Sequence, residues 1–141
     1  MNNDFTHAKK SPVIVSIPGS KSLTQRALIA AALARDNSFI SNALIAEDTL
    51  YLMEGLRALG AQIVSVSGGL FITGTAGKIA NSGKEIFLGN NGTALRFLTA
   101  LVCLGNGKYI LTGEQRLCER PVGTLAVALQ KMGVDISCHK N

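Results

Sequence analysis

Tryptophan is absent from this sequence, and aromatic residues make up only 5% of it. A platform of stacked aromatics for single-stranded nucleic acid is therefore not expected. Cysteine is scarce: Cys103, Cys118 and Cys138 are an odd set without CxxC spacing. They argue against a disulfide scaffold or a thiolate metal site and fit a reducing compartment, so a cytoplasmic location is expected. Histidine occurs twice, at His7 and His139, both near the termini and expected to be solvated. Long apolar runs are missing, because Arg, Gly or Thr interrupts each one, and no membrane span fits. The opening MNNDFTHAKKSP has no apolar stretch of the kind a secretory signal carries. Nor is there a GxSxG, an HExxH or a carboxylate-pair arrangement.

What remains is a chain of 141 residues, the size of one ordinary domain. Hydrophobic residues form 47% of it and charged residues 16%, which excludes a disordered chain. The net charge of +5 comes from 14 Lys+Arg against 9 Asp+Glu. It suits an anionic partner but does not choose between nucleic acid, a membrane surface and small acidic metabolites.

The chain resembles itself. Arg26-Ala-Leu-Ile-Ala-Ala-Ala-Leu-Ala34 aligns with Arg96-Phe-Leu-Thr-Ala-Leu-Val-Cys-Leu104 at an offset of 70 residues. At the same offset Ser38-Phe39-Ile40 meets Lys108-Tyr109-Ile110. The segment from Gly55 to Ile63 aligns with that from Ala128 to Ile136 at an offset of 73, so Gly60 meets Gly133. Slippage of that kind is tolerated in a connection.

Each copy predicts the same elements. An apolar strand (13–17; 85–88) runs into a Gly-containing turn, and a helix follows (about 22–34; about 92–104). Next come a short strand (38–41; 108–112) and a second amphipathic helix (about 47–59; 121–132). Glu47 and Asp48 suit a helix start, and Pro121 a first helical position. Gly60 and Gly133 stand where C-terminal caps are expected. Further strands are expected at 62–65 and 135–138, and Gly68-Gly69 signals a hairpin into a strand at 70–73. The reading is a partial α/β domain of βαβαββ units, repeat one about 13–74 and repeat two about 84–141. The last strand of repeat two is expected to begin where the sequence stops, so the chain reads as ending mid-unit.

The chemistry points to the starts of the first helices. These read Gly19-Ser20-Lys21-Ser22 and Gly89-Asn90-Asn91-Gly92-Thr93. A helix N-terminus offers unpaired N–H groups and a positive dipole, and glycine lets an anion approach the backbone. Arg26 lies four residues after Ser22 and Arg96 four after Gly92, each on the face of its helix opening. A cation there opposes the dipole unless an anion is present. The alternative is plain capping by Ser22 and Thr93 with solvated cations; the duplication favours two anion-directed helix ends. A Walker A loop is excluded by Val15 and Ser20. A third cluster, Arg116-Leu-Cys-Glu-Arg120-Pro121, suits bidentate binding of carboxylate or phosphate, or a basic loop paired with Glu114 and Glu119. Cys118 has cationic neighbours but no partner base, so it reads as a structural thiol.

Three segments resemble one family. Pro18-Gly-Ser-Lys-Ser-Leu-Thr-Gln-Arg26 is similar to the PGSKSxSxRAL signature of the 5-enolpyruvylshikimate-3-phosphate synthases. Leu88-Gly-Asn-Asn-Gly-Thr-Ala-Leu-Arg96 is similar to their LGNxGTxxR loop, and Leu111-Thr-Gly through Arg120-Pro121 to their TGxxxxxxRP segment. The resemblance implies an inside-out α/β barrel of six βαβαββ units, about two of them present here. It implies transfer of the enolpyruvyl group of phosphoenolpyruvate to the 5-hydroxyl of shikimate 3-phosphate, through a tetrahedral intermediate and without a metal or organic cofactor. Lys21 would meet both substrates. Ser22 and Arg26 would hold shikimate 3-phosphate. Gly92 and Arg120 would bind phosphoenolpyruvate, and Thr93 and Arg96 would shape that pocket.

Three departures stand out. Thr24 replaces the usual Ser, Asn91 the usual Ala or Ser, and Phe97 follows Arg96 where Pro is common. The family's catalytic Asp and Lys and its second phosphate site would lie downstream, so the chain alone is expected to be inactive and to need the remainder of the enzyme. The resemblance also implies that strand 13–17 crosses to the other domain. Two alternatives stand beside this reading. The related UDP-N-acetylglucosamine enolpyruvyl transferases place a Cys five residues before Arg-Pro, whereas Cys118 is two before Arg120. A basic RNA- or polyanion-binding module is the other.

Overall fold

A computed structural model describes residues 14–81 and 83–138. In chain order, α1 (Lys21–Leu33) leads into β1 (Asn37–Ser41), then α2 (Glu47–Ala58), β2 (Gln62–Val66) and β3 (Gly69–Thr73). The second half runs β4 (Glu85–Phe87), α3 (Gly92–Leu101), a 3₁₀ turn (Val102–Leu104), β5 (Ile110–Thr112), α4 (Gln115–Cys118) and α5 (Gly123–Lys131). The expected α/β class is present, with α-β-α-β-β elements in the first half and β-α-β-α-α in the second.

The first sheet has the order β1-β3-β2, with both pairs antiparallel. β2 and β3 form the expected hairpin. Val66 pairs with Gly69, and Gly68 turns the chain at φ +82°. The second sheet is the parallel pair β4-β5, with Phe87 opposite Thr112 and α3 as the crossover. Gly60 and Gly133 adopt φ of +107° and +90° after α2 and α5, the left-handed geometry of a C-terminal cap.

One apolar cluster serves both halves. Leu28 of α1, Leu52, Met53 and Leu56 of α2, Ile72 of β3, and Leu88 and Leu98 around α3 are buried in it. Burying such a side chain fully stabilises the fold by about 1.5–3 kcal/mol relative to exposure. α2 joins the halves. A Cβ at Gly55 would lie 2.7 Å from Leu98 Cδ1 and 3.2 Å from Ile86 Cγ2, so glycine permits that close approach. Ala46, the N-cap of α2, has no polar side chain; Thr49 reaches back instead, its Oγ1 accepting from the Ala46 N–H at 2.7 Å. The connector closes the far end of α1: the Thr75 N–H donates to Ala32 O at 2.8 Å and the Ala76 N–H to Ala34 O at 2.9 Å.

Three expectations need correction. Residues 14–17 form no strand, and among the described residues they pair with none; Ile14 is 90% exposed and Ile17 76%. Val13 lies outside the described residues. An apolar run becomes a strand only when another strand pairs with it, and among the described residues none does here. Residues 135–138 likewise have no regular structure. Pro121 does not open α5; the helix begins at Gly123 with Val122 as N-cap, and the Pro121 carbonyl accepts from Arg96 Nη2 at 3.0 Å.

Candidate functional site

The first helix start is exposed. Ser20, not Ser22, is the N-cap of α1, its Oγ accepting from the Leu23 N–H at 3.4 Å. Arg26 folds back along the helix, and its Nη1 donates to Ser22 Oγ and, at 3.4 Å, to Ser22 O. The four-residue spacing thus does what helical geometry predicts. Lys21 Nζ donates to Asp48 Oδ2 at 2.5 Å. The sequence reading took Asp48 as a helix-start residue only. It is that, in the first turn of α2, and it also holds the Lys21 ammonium. The missed signal was that α1 and α2 start at the same end of the unit.

The second helix start is built more tightly. Gly89 follows β4 at φ +54°, and a Cβ there would overlap the Tyr51 ring. The Gly89 carbonyl accepts from the Glu114 N–H at 2.8 Å, and Leu88 N–H donates to Thr112 O at 2.8 Å. These bonds bring the loop after β5 against the start of α3. Asn91, not Thr93, is the N-cap, with Oδ1 accepting from the Ala94 N–H at 2.9 Å. Gly92 is buried, and the space a Cβ would fill lies 2.5 Å from Arg120 Nη1 and 3.2 Å from Arg96 Nη1. Arg96 Nη1 also donates to Gly92 O at 3.0 Å. Gly92, Arg96 and Arg120 are therefore in contact, across 28 positions of sequence from Gly92 to Arg120.

The two starts are connected. Asn91 Nδ2 donates to Asp48 O at 2.6 Å and to Gln25 Oε1 at 3.2 Å. A chain of contacts runs from Lys21 through Asp48 and Asn91 to Gly92, Arg96 and Arg120. Ser22 and Arg26 extend it along α1. Thr93 is exposed on the first turn of α3. Arg116 is exposed on α4, and Glu119 accepts from Gln115 Nε2 at 3.0 Å. Cys118 Sγ donates to Gly113 O at 3.7 Å, as a structural thiol would. Thr24 Oγ1 accepts from the Leu44 N–H at 3.0 Å, so the hydroxyl at that position is used within the fold. Among the described residues, Asn90 Oδ1 is a buried side-chain acceptor without a hydrogen bond. The sequence reading passed over Asn90, although its place between Gly89 and Gly92 was visible.

Among the described residues, no three His, Cys, Asp or Glu side chains converge as a metal site would require. No described helix is long and apolar enough to cross a membrane. The arrangement is one of fixed cations and helix N–H groups, suited to binding anions and orienting them.

The sequence profile of EPSP synthase (3-phosphoshikimate 1-carboxyvinyltransferase) matches residues 7–141. The chain belongs to the EPSP synthase family. The 3-phosphoshikimate 1-carboxyvinyltransferase of Nitrosomonas europaea is 41% identical over 136 residues, covering 96% of this chain and 32% of that protein. The enzyme of the same name from Nostoc sp. is 44% identical over 129 residues, covering 90% and 30%. The structure of EPSP synthase from Acinetobacter baumannii superimposes with a TM-score of 0.81 at 26% identity, covering 87% of this chain and 28% of that one. The chain thus spans under a third of the length of these EPSP synthases. The two alternatives raised by the sequence gain no support from these matches.

Proposed function

We propose that this chain forms the N-terminal part of an enzyme that transfers the enolpyruvyl group of phosphoenolpyruvate to the 5-hydroxyl of shikimate 3-phosphate, releasing phosphate. Its setting would be the shikimate pathway of aromatic amino acid biosynthesis, in the cytoplasm. Repeats about 13–74 and 84–141 are read as two successive units of one larger domain. The observation that carries the proposal is the continuous link from Lys21 and Asp48 through Asn91 to Gly92, Arg96 and Arg120.

Each residue has a role in this reading. Ser22 and Arg26, already in contact, hold shikimate 3-phosphate. Arg120 and the open approach at Gly92 receive the carboxylate or phosphate of phosphoenolpyruvate, with Arg96 and Thr93 forming the wall. Lys21 has three N–H donors and gives one to Asp48, which leaves two for the substrates. Holding both substrates converts a two-body encounter into an oriented one. The groups that move protons, on the hydroxyl and at the methylene carbon of phosphoenolpyruvate, are assigned to the remainder of the enzyme.

Calorimetry with each substrate tests this. Lys21→Ala and Arg26→Ala should each weaken shikimate 3-phosphate binding by about 1–3 kcal/mol, the range for hydrogen bonds to charged groups. Unchanged affinity in folded variants would overturn the assignment. A phosphate-release assay on the chain alone, given both substrates, should show no turnover. Steady release would refute the division of labour.

A further inference from the structure

We infer that Asn91 is a positioning residue that sets the spacing between the Lys21–Asp48 pair and the Gly92–Arg96–Arg120 cluster. The inference rests on the proposed reading of both as parts of one substrate site. Asn91 is 3% exposed, and capping uses only its Oδ1, which accepts from the Ala94 N–H. A serine or aspartate could do that much. The amide nitrogen does something a cap does not need. It donates to Asp48 O in the first turn of α2 and to Gln25 Oε1 on α1, a side chain only 1% exposed. One buried side chain therefore touches all three helices that carry the site. Its partners lie 43 and 66 positions away in sequence.

The consequence concerns pairs of anions. Asp48 grips Lys21, and Arg120 lies against Gly92, the residue after Asn91. If the bond from Asn91 to Asp48 is lost, the shared core still holds α3 on α2, but the polar tie between their starts is gone, and Arg120 shifts slightly relative to Lys21. Each cationic cluster stays intact by itself. What changes is their separation, so Asn91 acts on how two bound anions reinforce each other.

The test uses Asn91→Ser, which keeps a capping oxygen, and Asn91→Asp, which keeps the shape but places acceptors against two acceptors. Both are made in the full 141-residue chain. The first readout is the backbone amide NMR spectrum without ligand. Perturbations should reach Asp48 and Gln25 and pass on to Lys21 and Ser22, which Asn91 does not touch. Perturbations confined to residues near 88–95 would overturn the inference. The second readout is titration with shikimate 3-phosphate and phosphoenolpyruvate, singly and together. In the native chain each ligand should tighten the other, by a factor on the order of 5–150 for coupled sites. In Asn91→Ser that factor should fall toward one while each single affinity changes by no more than about twofold. A native factor of one, an unchanged factor in the variant, or single affinities that fall together with the melting temperature would each overturn the inference. If the native chain binds neither ligand, the proposed function fails, and the NMR readout still decides the positioning role.

Discussion

The two halves of the chain, read from sequence as repeats, display different parts of one pattern. Repeat two shows the opening strand β4 paired in parallel with β5, and α3 crossing between them. Repeat one shows the closing strands: β3 sits between β1 and β2 and is antiparallel to both. Its own opening segment, 14–17, stays exposed. Laid over one another, the halves outline a single four-stranded unit that neither contains. The same contrast marks the helix starts. α3 emerges from a paired strand through Gly89 and is buried at Gly92; α1 emerges from an unpaired segment and stays exposed at Ser20, Lys21 and Ser22. The lesson is that a helix start can be specified locally, by a cap and a glycine, whereas a strand exists only where another strand receives it.

Substitutions can break or sharpen this comparison. The largest effects belong to the core. Leu28 and Leu98 occupy equivalent positions in α1 and α3, and both are fully buried. Leu28→Ala and Leu98→Ala should each cost about 2–5 kcal/mol in urea unfolding. Similar values would support equivalence of the repeats, and a large gap would break it. Next is Gly89→Ala, which combines a left-handed backbone with overlap of the Tyr51 ring. It should cost about 2–4 kcal/mol, because each of those terms alone is worth one or more. Its counterpart 70 residues earlier, Gly19, is also closely approached, by the Asn42 carbonyl, but lacks the left-handed backbone.

The caps come third. Asn91→Ala should cost about 1–2 kcal/mol in thermal unfolding, and Ser20→Ala about 0.5 kcal/mol, since the Ser20 bond is long and exposed. Equal costs would erase the distinction between a buried and an exposed helix start. The smallest stability change is expected of Gly92→Ala. The atoms nearest the added methyl are the flexible ends of Arg120 and Arg96. Stability should stay within about 0.5 kcal/mol. Phosphoenolpyruvate binding should nonetheless weaken as Arg120 is displaced, measured by calorimetry.

Legibility followed the same division. Gly60, Gly68 and Gly133 were readable because each turn they make needs a positive φ that few other residues supply. Both arginine foldbacks were readable from helical spacing alone. The strands expected at 13–17 and 135–138 were not secure, because the deciding partner is not written in the segment itself. Pro121 misled because its carbonyl is engaged by Arg96, 25 positions earlier in sequence. Asp48 was half read: its suitability for a helix start is local, its grip on Lys21 is tertiary. The family resemblance already grouped Gly92 with Arg120; how they meet, through Gly89 and the loop after β5, was not written in either segment.

The glycine at position 55 carries a practical consequence. The α2 surface around it fits Leu98 and Ile86 of the other half of the chain, and Asp48, about two turns earlier on the same helix, receives the hydrogen bond from Asn91. Cutting the chain in the connector would strip cover from that surface and remove this bond at one stroke. Peptides made from the separate halves would therefore be poor stand-ins for the whole, even though each half spells out most of its own unit.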